Sequence, residues 1–134
     1  MKAIADTGFL VAFVNARDTY HAWALDVADQ ITEPLLTCEA VLAETAFHLR
    51  DVALVLDMIE DQLITLAFDC TDHLPQLTAL ARRYRDHKPD LADLCLIRMS
   101  ELYPEHSVIT ADKDFRIYRR NKREVIPTIS PPRS

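Results

Sequence analysis

The chain has 134 residues, 49% hydrophobic and 27% charged, the composition of an ordinary soluble globule and the length of one domain, 1–134, able to bury about two-thirds of its unfolded surface. A net charge of −6 taken alone argues against a nucleic-acid partner, and three cysteines far apart in sequence, Cys38, Cys70 and Cys95, suggest neither a disulfide framework nor a zinc knuckle and read as reduced thiols in packing roles. There is no basic, then apolar, then small-residue leader and no apolar run near the ~20 residues of a membrane span, so no membrane partner and a cytoplasmic location are expected.

The apolar run Ala3 to Ala5 ends in Asp6, and Phe9 to Val14 follows at once, which predicts a buried strand turning directly into a buried helix. Asp6 then stands at a strand's carboxyl end, the edge where open α/β sheets bind ligands. It also stands where an N-cap belongs, and both readings are open. Tyr20 to Ile31 carries Trp23, Val27 and Ile31 on one face, an amphipathic helix that Thr19 can cap. Glu33-Pro34 leads into a second strand, Leu35-Leu36-Thr37. Helices are predicted from Glu39 to about Arg50 and from Ala53 to Glu60, followed by a third strand, Leu63 to Ala67, apolar enough for burial on both faces.

Asp72 can cap a helix to about Arg85 whose inner side is Leu74, Leu77, Leu80, Ala81 and Tyr84. Lys88-Pro89 breaks the chain. Asp90 to Leu102 is the next helix, Val108-Ile109-Thr110 the fourth strand, Asp112 to Arg120 a short helix, and Val125-Ile126-Pro127 a fifth strand at a sheet edge or strand end. Strands separated by helices predict an α/β fold, a three-layer α/β/α sandwich around a mostly parallel sheet of about five strands with right-handed crossovers. The single glycine, Gly8, excludes a glycine-rich phosphate loop.

The acidic residues carry the chemistry. Glu44 lies one helical turn from Ala40, Val41, Phe47 and His48. A carboxylate on so apolar a face is costly unless paired, hydrogen-bonded or bound to metal, although reaching solvent from the helix edge also accounts for it. Asp90 and Asp93 share one helix face, and as N-cap and third helical residue they also suit the helix's amino end. Asp112 and Asp114 follow the fourth strand as Asp6 follows the first, so first and fourth strands adjacent at the sheet's centre would bring Asp6 and Asp112 to one crevice. Arg82, Arg83 and Arg85 form a basic cluster, and Arg116, Arg119, Arg120, Lys122 and Arg123 a second. Such clusters neutralise phosphates locally in an acidic chain or complement helix carboxyl ends.

Four motifs, in this order and spacing, resemble the PIN-domain ribonucleases from Ile4 to about Pro127. They are Ala5-Asp6-Thr7-Gly8 with Leu10-Val11-Ala12 after it, Val41-Leu42-Ala43-Glu44, Asp90-Leu91-Ala92-Asp93, and Ile109-Thr110-Ala111-Asp112-Lys113-Asp114-Phe115. The compact length is similar to the toxin nucleases of bacterial toxin–antitoxin pairs, of the virulence-associated protein C type. The resemblance implies a PIN-like fold, an Mg²⁺- or Mn²⁺-dependent endoribonuclease acting on RNA, and a cognate antitoxin and a homodimer as partners. It implies catalytic roles for Asp6, Glu44, Asp93 and Asp112, with Asp6, Asp93 and Asp112 as metal ligands and Glu44 or Asp93 orienting the attacking water. Asp90 and Asp114 match accessory acids, and Arg82, Arg83, Arg85, Arg116, Arg119 and Arg120 become the RNA-binding candidates.

Two departures stand out: Gly8 occupies a position where Ser or Asn is frequent, and Leu94-Cys95 follow Asp93 where a small residue is common. The chemistry is coherent, since hard divalent cations take carboxylate and water oxygens and need no histidine or cysteine. His21, His48, His73, His87 and His106 show no paired ligand spacing. Two alternatives compete. A receiver-like phosphoacceptor domain would use Asp69 with Thr110 and Lys113, yet it expects adjacent acids after the first strand, where this chain has Asp6-Thr7. A catalytically silent binding module would not need the complete acidic quartet.

Overall fold

The computed structural model describes residues 1–132. Its elements run β1 (Ala3–Ala5), α1 (Thr7–Val14), α2 (His21–Ala28), β2 (Leu35–Thr37), α3 (Glu39–Leu49), α4 (Val52–Glu60), β3 (Ile64–Leu66), α5 (Leu74–Arg83), α6 (Leu91–Leu102), β4 (Ser107–Ile109), β5 (Arg119–Arg120), β6 (Glu124–Val125) and β7 (Thr128–Ile129). Among the described residues five strands form one sheet in the order β3-β2-β1-β4-β7, with every pairing parallel. From the central β1 the chain steps outward through β2 to β3, then returns to pair β4 on the other side of β1. The result is the expected α/β sandwich. No helix among the described residues is long and apolar enough to cross a membrane.

β1 is the centre of this arrangement. Ile4 lies opposite Leu36 on one side and Val108 on the other, and every residue of β1 is buried. That is why the strand reads as an unbroken apolar run: a parallel strand covered on both faces has no wet side to alternate with. α6 explains itself in the same way. It lies against β1 and β4, and Ala92, Leu94, Cys95, Leu96, Ile97 and Met99 are all buried around it. Asp90 and Asp93 fix its start through reciprocal bonds, Asp93 N–H to Asp90 Oδ1 at 2.9 Å and Asp90 N–H to Asp93 Oδ2 at 3.2 Å, a two-way cap.

Several local expectations are corrected. β3 is an edge strand, with Thr65 and Leu66 exposed rather than buried on both faces. The fifth strand of the sheet is Thr128–Ile129, three residues later than Val125-Ile126-Pro127, because Glu124–Val125 pairs instead with Arg119–Arg120 as a small antiparallel hairpin. Positive φ at Asn121 (48°) and Lys122 (70°) makes that turn. The expected helix from Asp112 to Arg120 is therefore only a 3₁₀ turn, Lys113–Arg116. α2 is shorter than Tyr20 to Ile31, and Thr19 does not cap it: Asp18 Oδ1 accepts from Tyr20 N–H at 2.8 Å. Asp69, not Asp72, caps the turn before α5, and Leu74 is exposed. The cysteines are free thiols as expected, but they are not apart in space, since Cys70 and Cys95 sulfurs lie 3.5 Å from each other.

Candidate active site

Pairing of β1 with β4 sets Asp6 beside the segment leading to Asp112. The backbone N–H of Asp6 donates to Ile109 O at 3.0 Å, so the chain leaves β1 still hydrogen-bonded to its neighbour. Asp6 Oδ1 accepts from Thr7 N–H at 2.7 Å, capping α1, while Oδ2 accepts from the Thr110 hydroxyl at 2.6 Å. The two readings of Asp6 are thus compatible, one oxygen serving the cap and the other facing its neighbour strand. Thr110 Oγ1 also accepts from Asp112 N–H at 3.0 Å, and Asp112 Oδ1 accepts from Asp114 N–H at 2.9 Å. One threonine therefore ties together the acids after both central strands.

Glu44 comes from the middle of α3, where the Thr7 hydroxyl donates to its Oε2 at 3.2 Å. Asp90 and Asp93 enter at the amino end of α6. These acids line one open crevice of about 350 Å³ together with Asp6 and Asp112, and Asp18, Gly8 and His48 line it too, so six carboxylates face one space. The fold thus brings together the whole quartet and one accessory acid, Asp90. Asp114 does not line the crevice; its backbone carbonyl accepts from Ile117 and Tyr118 N–H, closing the 3₁₀ turn.

The electrostatics of this cluster are unbalanced. Burial pushes the Asp6 carboxyl upward, against the Thr110 and Thr7 hydrogen bonds, and the charges of Asp112 and Asp90 push the same way as burial. Glu44 is raised by its own desolvation and then by the charge of Asp90, with the Thr7 hydrogen bond opposing. Asp93 is raised to about 8, first by burial and next by Asp90, with the Asp90 N–H opposing. Among the described residues the ion pairs are Lys2–Glu105, Arg98–Glu101 and Arg120–Glu124. None of the six crevice carboxylates belongs to one. Hard oxygen donors with unmet negative charge fit Mg²⁺ or Mn²⁺ in type. Among the described residues no three His, Cys, Asp or Glu side chains converge closely enough to hold an ion by themselves. That spacing matches a cation held by one or two carboxylates together with waters and substrate phosphate.

The basic candidates divide. Arg82, Arg83 and Arg85 are exposed at the end of α5, and Arg83 Nη1 donates to Lys122 O at 3.3 Å, so the two sequence clusters join into one patch. Arg116 is exposed. Arg119 Nη1 instead bonds the carbonyls of Arg116, Ile117 and Tyr118 at 2.8–3.2 Å, finishing the 3₁₀ turn. Arg120 is a correction: it is 5% exposed, bonds the carbonyls of Ser100 and Pro104, and grips Glu124 Oε1 through Nε and Nη2. It holds the hairpin to α6 from inside. Asp69, the acceptor a receiver-like domain would need, lies away from the crevice and caps Thr71 N–H at 2.9 Å. Sequence reasoning missed Thr7 as a positioning residue and gave Thr110 no place beside the acids, although hydroxyls next to strand-end carboxylates are the visible signal.

The family model for the PIN domain matches residues 3–121. No curated protein matches the chain.

Proposed function

The chain belongs to the PIN-domain family, whose members are generally nucleases, and from that premise we propose that it is a divalent-metal-dependent endoribonuclease. The observation that carries this reading is the set of six carboxylates from five separate stretches of chain, gathered in one crevice with no cationic side chain paired to them among the described residues. Such a crevice repels a phosphodiester unless counter-charge comes with it. Mg²⁺ or Mn²⁺ held there by one or two of Asp6, Asp93 and Asp112, with waters and substrate completing its shell, would supply Lewis-acid neutralisation of the phosphate oxygens.

The chain's own groups do the rest. Thr110 and Thr7 hold Asp6 and Glu44 in single orientations, which limits the reorganisation needed when substrate arrives. Asp93 Oδ2 accepts the Asp90 N–H, which leaves Oδ1 to take a proton from the attacking water, with Glu44 across the crevice to orient it. A bond then forms from that water oxygen to phosphorus and the bond to the leaving ribose oxygen breaks. Arg82, Arg83, Arg85 and Lys122 form the patch on which flanking phosphates rest. The small size and complete quartet support a finer reading, the toxin of a toxin–antitoxin pair whose partner inserts a basic side chain among these acids.

Single-stranded RNA carrying a labelled 5′ end tests the proposal. Cleavage is expected with Mg²⁺ or Mn²⁺, none in EDTA, and a loss on the order of a hundredfold or more in Asp6→Asn and Asp112→Asn. Cleavage that persists in EDTA, or that both variants retain, overturns it.

A further inference from the structure

Next to the carboxylate crevice, and sharing Asp112 with it, lies a second cavity of about 330 Å³. It sits at the carboxyl ends of β4 and β7, on the same edge of the sheet. Its walls come from three parts of the chain: Tyr20 from the link between α1 and α2, Lys113 and Arg116 from the turn after Asp112, and Thr128 and Ser130 from the β7 end.

Three features give this cavity the chemistry of a nucleotide. Tyr20 lines the cavity and is 41% exposed, yet its ring is held by other rings. Trp23 meets it edge-on at 6.3 Å, and Trp23 in turn stands edge-on to buried Phe9 at 5.8 Å. An open aromatic face fixed by a chain of rings is a stacking platform, and any base can stack on it. Lys113 and Arg116 enter no ion pair among the described residues, so their charge is available to a phosphate. Thr128 and Ser130 add hydroxyls that donate and accept at a base edge or sugar.

We propose that this cavity seats the nucleotide next to the scissile phosphate, its base on Tyr20 and its phosphate against Lys113 and Arg116, with the strand crossing Asp112 into the crevice. The inference rests on the nuclease reading and names how that site grips its substrate.

Trp23 is the one tryptophan of the chain and touches Tyr20, so its emission reports on the cavity. The test titrates the full chain in EDTA with 5′-AMP and, separately, with adenosine, and measures KM and kcat for a short RNA in Mg²⁺. A saturable change in emission with 5′-AMP is expected. Tyr20→Phe should bind like wild type, whereas Tyr20→Ala should bind about tenfold or more weakly. Arg116→Gln should weaken 5′-AMP, leave adenosine alone and flatten the salt dependence. On RNA, Tyr20→Ala should raise KM with little change in kcat.

Absence of a saturable signal in wild type, or wild-type binding and KM in a folded Tyr20→Ala, overturns the seat. A chain that binds 5′-AMP through Tyr20 but cleaves no RNA keeps the seat and refutes the nuclease. A chain that cleaves RNA while Tyr20→Ala matches wild type in both assays does the reverse.

Discussion

Asp93 offers a direct measure of the charge stored in the crevice. Its folded-state pKa is raised from 3.8 to about 8, by burial first and by Asp90 next. For an acid whose pKa rises on folding, the unfolded chain loses its proton first as pH climbs. The stabilising contribution is therefore complete below about pH 4 and disappears progressively up to about pH 8 in metal-free protein. The full displacement corresponds to about 5–6 kcal/mol, but Asp93 is only half-buried, and screening by solvent reduces the expected effect to about 1–2 kcal/mol. Asp93→Asn removes the charge while its amide oxygen can still accept the Asp90 N–H, so the cap of α6 survives. In EDTA, wild type and variant should melt together near pH 4 and separate steadily toward pH 8, with the variant higher by roughly 3–8 °C. Adding Mg²⁺ or Mn²⁺ should raise wild type by mass action and the variant by less. A gap independent of pH, or a variant that melts lower than wild type at pH 8 in EDTA, refutes the assignment.

Two further outcomes follow from the same geometry. A Cβ built on Gly8 would meet Ala111 Cβ at 3.4 Å, ordinary contact, so Gly8→Ala should stabilise α1 by about 0.5–1 kcal/mol in chemical denaturation; a loss of stability would show that the crevice floor has no such room. Arg120→Ala should cost about 1–3 kcal/mol, chiefly by leaving the buried Ser100 carbonyl without its donor, whereas Arg82→Ala should leave the melting temperature alone and lower the salt slope of RNA binding by about one unit. If Arg120→Ala melts like wild type, its structural role is wrong.

The parts of the fold that could be read in advance are those where burial leaves a one-dimensional trace. β1 and β4 are apolar runs closely followed by a carboxylate, whereas their adjacency is a matter of sheet order that the runs themselves leave open. Leu63 and Leu66 carry the same apolar signal as a central strand, and only the sheet order shows that β3 has an open edge. Val125 and Ile126 likewise read as a strand, but the turn at Asn121 and Lys122 draws the preceding residues into a hairpin and leaves Thr128–Ile129 to pair with β4. The acids of the crevice were legible because carboxylates in apolar company are costly. The direction in which Arg120 points was not, since a guanidinium turned inward toward Ser100 and Pro104 carbonyls looks identical in sequence to one turned outward. The meeting of Cys70 and Cys95 is equally invisible to spacing.

The sheet order has a consequence for biosynthesis. β1 is made first, yet it sits between β2 and a strand synthesised only near the end, and Asp6 reaches Thr110 across 104 positions of sequence. Contacts of such long range form late, because loop closure must precede the pairing that rewards it. While the last third of the chain is still inside the ribosome, Asp6 has no Thr110 to orient it and Asp112 is absent from the crevice. A nascent chain thus lacks the complete crevice until the segment after β4 has emerged and paired beside β1.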